Sequence, residues 1–253
     1  MGNLSSQTQQ AKKITLGMPL NYLYQTLHYL ELSGWIIRLK NGLYSLSSSI
    51  PGVSQLHEFQ IAMALVQPAA ISHWSALSYH HLTEQVPRQV FVLTTTKSLP
   101  RKRGIKAQTS AGYSAANINF QFIKTKPEFF FGNQEIWINE SKIKITDAER
   151  TVLNCLMSPK YCGGFAEILY ILEQHLNKLN LNKMIEYAIR LDTATIKRLG
   201  WILEHQGVTA SQLEPLRQIP IKGYRLLDPS GAHAGHCNSH WMIQENLPGE
   251  ITS

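Results

Sequence analysis

Residues 20–46 read LNYLYQTLHYLELSGWIIRLKNGLYSL, and the order of elements in this stretch decides the fold expected of the whole N-terminal region. Leu20, Leu23, Leu27 and Leu30 recur at three- and four-residue intervals, so they share one face of a helix. At about 100° per residue, Asn21, Gln25 and His28 project from the opposite face, with Tyr22 and Tyr29 on its flank. Ser33-Gly34 supplies the helix stop. WIIRLKNGLYSL then reads as a β-hairpin turning on Asn41-Gly42, a pair that favours a type I′ turn because both central residues need positive φ. Arg38 and Lys40 make one arm of that ribbon basic. A helix followed by a basic two-stranded ribbon is the order in which a winged helix-turn-helix presents its reading helix and wing.

The side chains suit that use. Asn and Gln can each pair bidentately with adenine and Tyr can donate to phosphate, so Asn21, Gln25 and His28, supported by Tyr22 and Tyr29, are the candidate DNA readers. Arg38 and Lys40 are the candidate phosphate contacts at the wing. The plainer alternative is a solvated helix face and an ordinary hairpin, and the residues leave it open.

Composition agrees with a polyanionic partner. The 253 residues carry 24 Lys plus Arg against 17 Asp plus Glu, a formal +7, which favours binding to double-stranded DNA through counterion release. A chain of this length can bury a core in each of two domains. SLSSSIPGVS, residues 45–54, is the expected linker, with residues 1–47 as the DNA-binding domain and 48–253 as a larger mixed domain. The first residues, MGNLSSQTQQAKK, lack an apolar signal core, and no apolar run approaches the roughly 18 residues that span a bilayer. No membrane partner is expected. Three cysteines, Cys155, Cys162 and Cys237, in a chain too long to need staples suggest reduced thiols and a cytoplasmic location.

In the larger region, HEFQIAMALV (57–66) and ISHWSALSYHHL (71–82) read as helices, and QVFVLTTT (89–96) as a strand rich in β-branched residues. NINFQFIK (117–124) alternates as a strand does, and EIWINESKIKIT (135–146) reads as a hairpin. Asp147 is placed to cap AERTVLNCLM, and further helices are expected at GFAEILYILEQHL, LNKMIEYAIRL and TATIKRLGWILEHQ, the last closed by Gly207. IKGYRLL and HWMIQEN are expected as a final strand pair closing the sheet.

Catalytic chemistry is hard to assemble from these residues. HAGHCNSH (233–240) sets His233, His236, Cys237 and His240 close together in sequence, but a zinc site needs ligands that converge on a defined turn. Glu140 and Lys142 near Asp147 and Glu149 resemble the acidic-plus-lysine grouping of Mg²⁺-dependent nucleases, and the alternative is a hairpin turn beside a helix cap. Cys155 falls on an apolar helix face and reads as a small hydrophobe, Cys162 as a loop thiol. Gly163-Gly164 lacks the Lys-Ser/Thr continuation of a phosphate loop. No catalytic residue, metal or cofactor is therefore expected. A second basic arm, KSLPRKRGIK (97–106), offers Arg101, Lys102 and Arg103 as further phosphate contacts, or else as a solvated loop.

ISHWSALSYHHLTEQVPRQVFVLTTT (71–96), ITDAERTVLNCL (145–156), GGFAEILYIL (163–172) and IKRLGWILEHQG (196–207) resemble the corresponding segments of the AbiEi family. These are antitoxins and transcriptional repressors of type IV toxin-antitoxin and abortive-infection systems, and the resemblance runs from about residue 6 to about residue 249. It implies an α/β (α+β) protein, a winged helix joined to an α/β antitoxin domain. It also implies binding to promoter repeats and a partner toxin resembling a nucleotidyltransferase. The chain departs from the family pattern at His81, where Gly is usual, and at Asn154, where Asp is usual. SQTQQAKKITLGMP (6–19) matches by pattern the helix before the reading helix, which leaves little chain for a first helix and predicts a trimmed DNA module. Two other readings stay open, a protein-interaction module whose winged helix no longer reads DNA, and, further back, a Mg²⁺-dependent nuclease.

Overall fold

The structure, a computed structural model, describes residues 19–100 and 112–247. Among them are eight α-helices and eleven β-strands in three sheets, so the chain is a mixed α/β protein of the α+β class. The expected helix preceding Pro19 and the basic arm Arg101, Lys102 and Arg103 lie outside the described residues.

Helix α1 (Leu20–Leu32) closes as its sequence predicts. Gly34, at φ +74°, takes the left-handed position. Its N–H donates to Glu31 O at 3.1 Å, and the Trp35 N–H donates to Leu30 O at 2.9 Å. These are the paired bonds of a Schellman stop, which satisfy carbonyls the helix end would otherwise orphan. Strands β1 (Ile36–Lys40) and β2 (Leu43–Leu46) pair antiparallel, with the register shifting between Arg38 and Lys40. The turn differs from the expected type I′. Gly42 has φ +71° whereas Asn41 is not in the positive-φ region, so one glycine and a bulge close the hairpin.

The chain separates into two compact units, each assembled from several segments. Described residues of Met1–Ile71, Arg88–Lys126 and Gln134–Ile145 form the first; those of Ser72–Pro87, Pro127–Asn133 and Thr146–Ser253 form the second. In the first unit, helix α2 (Glu58–Leu65) starts with His57 Nδ1 accepting from Phe59 N–H at 3.1 Å while Gln60 Oε1 accepts from His57 N–H at 2.7 Å. A six-stranded sheet follows. It is built from β3 (Ala69–Ile71), β4 (Val90–Thr94), β5 (Gly112–Ala115), β6 (Ile118–Lys124), β7 (Asn133–Ile138) and β8 (Ser141–Thr146), in the order β5-β6-β4-β3-β8-β7. The β3/β4 and β5/β6 pairs are antiparallel, while β3/β8 and β4/β6 are parallel. Ile71 belongs to strand β3 and not to the following helix, because it pairs with Val92 on one side and Ile145 on the other. Ala116 and Asn117, both at positive φ, make the two-residue turn between β5 and β6.

The second unit is helical around one apolar core. Helices α3 (His73–Tyr79), α4 (Ala148–Met157), α5 (Phe165–His175), α6 (Leu181–Ile189), α7 (Thr193–His205) and α8 (Ala210–Arg217) contribute Leu77, Leu153, Phe165, Leu172, Met184 and Trp201 among others. Side chains cap three of these helices, the first of them at the Asp147 the sequence predicts. Asp147 accepts from Arg150 N–H at 2.8 Å, Asn180 from Lys183 N–H at 3.0 Å and Asp192 from Thr195 N–H at 2.8 Å. Gly207, at φ +79°, ends α7 with a second Schellman stop. Strands β9 (Arg225–Leu226), β10 (His236–Asn238) and β11 (Ile243–Glu245) form their own three-stranded sheet, β10-β11-β9. The expected closing strand pair therefore belongs to a separate sheet and not to the larger one. Cys155 and Cys162, read from sequence as independent thiols, are buried and joined as a disulfide across a Cα separation of 5.8 Å, leaving Cys237 free and exposed.

Candidate nucleic-acid interface

Helix α1 divides cleanly. Leu23, Leu27 and Leu30 are half-buried, while Asn21, Gln25 and His28 are exposed on the opposite face. Tyr22 and Tyr29 flank that face and are 58% and 70% exposed. Among the described residues, the side chains of Asn21, Tyr22, Gln25, His28 and Tyr29 have no hydrogen-bond partner, so their donors and acceptors are available to a ligand.

The ribbon treats its two cations differently. Arg38 is exposed and half-anchored: its Nη2 donates to Asn41 Oδ1 at 3.0 Å, and its guanidinium lies 6.0 Å from the Tyr44 ring. Lys40 is half-buried, and its Nζ donates to the Leu65 carbonyl at 2.7 Å, at the C-terminal end of α2. A cation there meets the negative end of the helix dipole as well as an orphan carbonyl. Behind the ribbon, Tyr113 donates its hydroxyl to Leu39 O at 2.7 Å. Burial pushes the Tyr113 phenol up, against the opposing pull of Arg38. Leu39 and Leu43 are buried beneath the hairpin, so it rests on the first unit through an apolar seam.

Of the groups weighed for catalysis, Lys142, Asp147 and Glu149 are engaged, and Glu140 is exposed. Glu135 takes up Lys142 in an exposed ion pair at 3.1 Å. In the second unit Asp147 caps α4, accepts the Tyr187 hydroxyl at 3.0 Å and pairs with Lys183 at 3.2 Å. Glu149 accepts from Asn180 N–H and from Lys183, both at 2.9 Å. Burial alone would raise the Glu149 carboxyl, but those donors outweigh it and hold it below the usual range. The sequence also gave no warning of the polar centre around Arg150, a fully buried residue whose Nε and Nη2 donate to Phe131 O and Phe129 O at 3.3 and 2.7 Å. Burial lowers its pKa to about 10, and Asp147 resists that fall. Nearby, His73 Nδ1 lies 2.9 Å from Ser72 Oγ, and both residues are inaccessible. Burial, reinforced by Arg150, lowers the His73 pKa to about 3, so its ring is neutral at physiological pH.

The His-rich tail does not converge. His236 and Cys237 alternate on β10 opposite Glu245 and Gln244, and His240 turns away to Glu204 at 3.1 Å. Among the described residues, no group of three or more His, Cys, Asp or Glu side chains is arranged to hold a metal. Nor is any described helix long and apolar enough to cross a membrane.

Neither known family profiles nor curated proteins match the chain. Among solved structures, it is similar to the crystal structure of the RV2827C protein from Mycobacterium tuberculosis. The TM-score is 0.59 at 11% identity, covering 87% of this chain and 78% of that one. At that identity the likeness shows a shared fold and nothing more.

Proposed function

We propose that the chain is a DNA-binding autorepressor and antitoxin. In this reading α1 lies in a major groove with Asn21, Gln25 and His28 on base edges, while Tyr22 and Tyr29 reach the flanking phosphates. Arg38 contacts the backbone from the wing, and Lys40, engaged with Leu65, fixes the ribbon from below. One observation carries the reading: the face of α1 that bears base-reading chemistry is exposed and, among the described residues, without hydrogen-bond partners, directly ahead of a ribbon with an exposed Arg. The antitoxin half rests on the sequence resemblance to AbiEi proteins, which also suggests promoter repeats as the target and a nucleotidyltransferase-like toxin as the functional partner.

A second reading has its own observation. Tyr24, Leu32, Trp35 and Leu46 are 54–74% exposed around the same helix and hairpin, a surface a protein partner would also suit. An electrophoretic shift separates the two. The DNA reading expects the full chain to retard the fragment upstream of its own gene ahead of an equal-length coding fragment; equal or absent retardation favours the interaction module. Coexpression with the neighbouring gene tests the antitoxin half, which expects relief of growth arrest.

A further inference from the structure

Helix α7 carries two consecutive cations, Lys197 and Arg198, that are 0% and 7% exposed. Among the described residues, backbone carbonyls alone receive their protons. Lys197 donates to the carbonyls of Lys222, at 3.0 Å, and Gly223. Arg198 donates through Nε to Leu226 O and Leu227 O at 3.2 and 3.1 Å, and through Nη1 to Leu156 O at 3.2 Å. Among the described residues no carboxylate forms an ion pair with either. Burial, and then Arg225, lowers the Lys197 pKa; burial also lowers that of Arg198, against the opposing pull of Asp192 and Asp228. Burying cations without a counter-charge is costly, and carbonyl dipoles offset only part of that cost. The site thus keeps positive charge with no directly bonded carboxylate among the described residues.

A cleft of about 350 Å³ opens beside these residues, lined by Arg198, Tyr224, Arg225, His233 and Gln244. That volume is at the small end of ligand pockets. The Nη2 of Arg198 is engaged by none of the carbonyls, Arg225 and His233 are exposed, and Tyr224 keeps 43% of its surface open. Guanidinium forks match the oxygens of a phosphate, and an open phenol ring offers a stacking platform.

We propose that this cleft binds a small phosphorylated ligand bearing a planar group, of about mononucleotide size. Arg198 and Arg225 take the phosphate, Tyr224 stacks on the planar part, and His233 and Gln244 hydrogen-bond between them. This site lies within the second unit and does not depend on the DNA reading.

The test is an NMR titration of the full chain with adenosine monophosphate, ribose 5-phosphate, adenosine and acetate. Adenosine monophosphate is expected to bind with a dissociation constant of about 1 mM or tighter, ribose 5-phosphate more weakly, and adenosine and acetate not at all. Arg225→Glu should weaken adenosine monophosphate by about tenfold or more, the scale of a lost charge-assisted contact. Tyr224→Ala should weaken it while leaving ribose 5-phosphate unchanged. Arg88→Glu, an equal change of charge at an exposed site in the first unit, should alter nothing. The proposal is overturned if adenosine monophosphate fails to bind near ~10 mM, or if Arg225→Glu and Arg88→Glu behave alike. Acetate binding as tightly as ribose 5-phosphate would equally contradict it.

Discussion

Lys40 donates its ammonium proton to the carbonyl oxygen of Leu65 at 2.7 Å, fastening the β1–β2 ribbon to the last turn of α2. Two cations that look equivalent in RLKNG therefore have different work. Lys40→Met keeps the apolar stem and removes the bond, so stability should fall by about 1 kcal/mol while the salt dependence of DNA binding stays unchanged. Arg38→Ala should do the reverse, leaving stability alone and reducing the slope of log affinity against log salt by about 1. Denaturant melts paired with anisotropy titrations at several salt concentrations check both, and equal salt slopes for the two variants would contradict the division.

Gly200 sits mid-helix in α7, where propensity alone predicts that Gly→Ala gains about 1 kcal/mol. Here an added Cβ would come within 2.1 Å of the Trp241 ring, and Trp241 is 1% exposed. Gly200→Ala should instead destabilise the protein, by about 1–3 kcal/mol as overpacked cores do. Thermal denaturation reads the sign directly. A double variant, Gly200→Ala with Trp241→Phe, should recover part of the loss if contact with the indole is the cause.

These contrasts show where sequence patterns stop. The division of α1 into leucine and polar faces, the Gly34 and Gly207 stops and the Asp147 cap are legible, because each depends on residues within one or two turns of each other. Strand β3 is not: Ala69–Ile71 is three residues long and exists through pairing with Val92 and Ile145, distant in sequence. The same limit hides the Cys155–Cys162 pairing, the separate sheet of β9 to β11, the Leu65 partner of Lys40 and the interleaving of the two units. In the candidate interface, the spacing of Asn21, Gln25 and His28 fixes their common face. Which ribbon cation remains available depends on α2, which no local pattern reports.

Acid stability offers a third check. The His73 pKa is lowered from 6.5 to about 3 in the folded chain, so between those pH values the unfolded chain takes up a proton that the folded one refuses. Stability should therefore fall with decreasing pH across that window, by up to about 1.4 kcal/mol per pH unit from this group. His73→Asn, which tolerates the φ of +50° at this position, should flatten the slope above the carboxylate range. An unaltered slope there would assign it to other groups.

Glu149 acts lower on the pH scale. Its folded pKa is depressed below 4.5, so its contribution is present above that value and is lost as pH falls through the folded pKa. Glu149→Gln should lower stability at neutral pH and remove part of the decline below about pH 4.5, in urea melts taken stepwise from pH 7. A variant whose melts run parallel to the wild type at every pH would show that Lys183 and Asn180 do not distinguish the charged carboxylate.

The most direct test of the DNA reading is fluorescence anisotropy on the fragment upstream of the gene and on a scrambled fragment of equal length. The full-length wild type is compared with the Asn21→Ala, Gln25→Ala, His28→Ala triple variant. All three side chains are exposed, so folding should survive the change. The account predicts that the wild type prefers the upstream fragment, and that the triple variant binds both fragments alike with its salt dependence intact. A wild type with no preference, or a triple variant that keeps one, would contradict it.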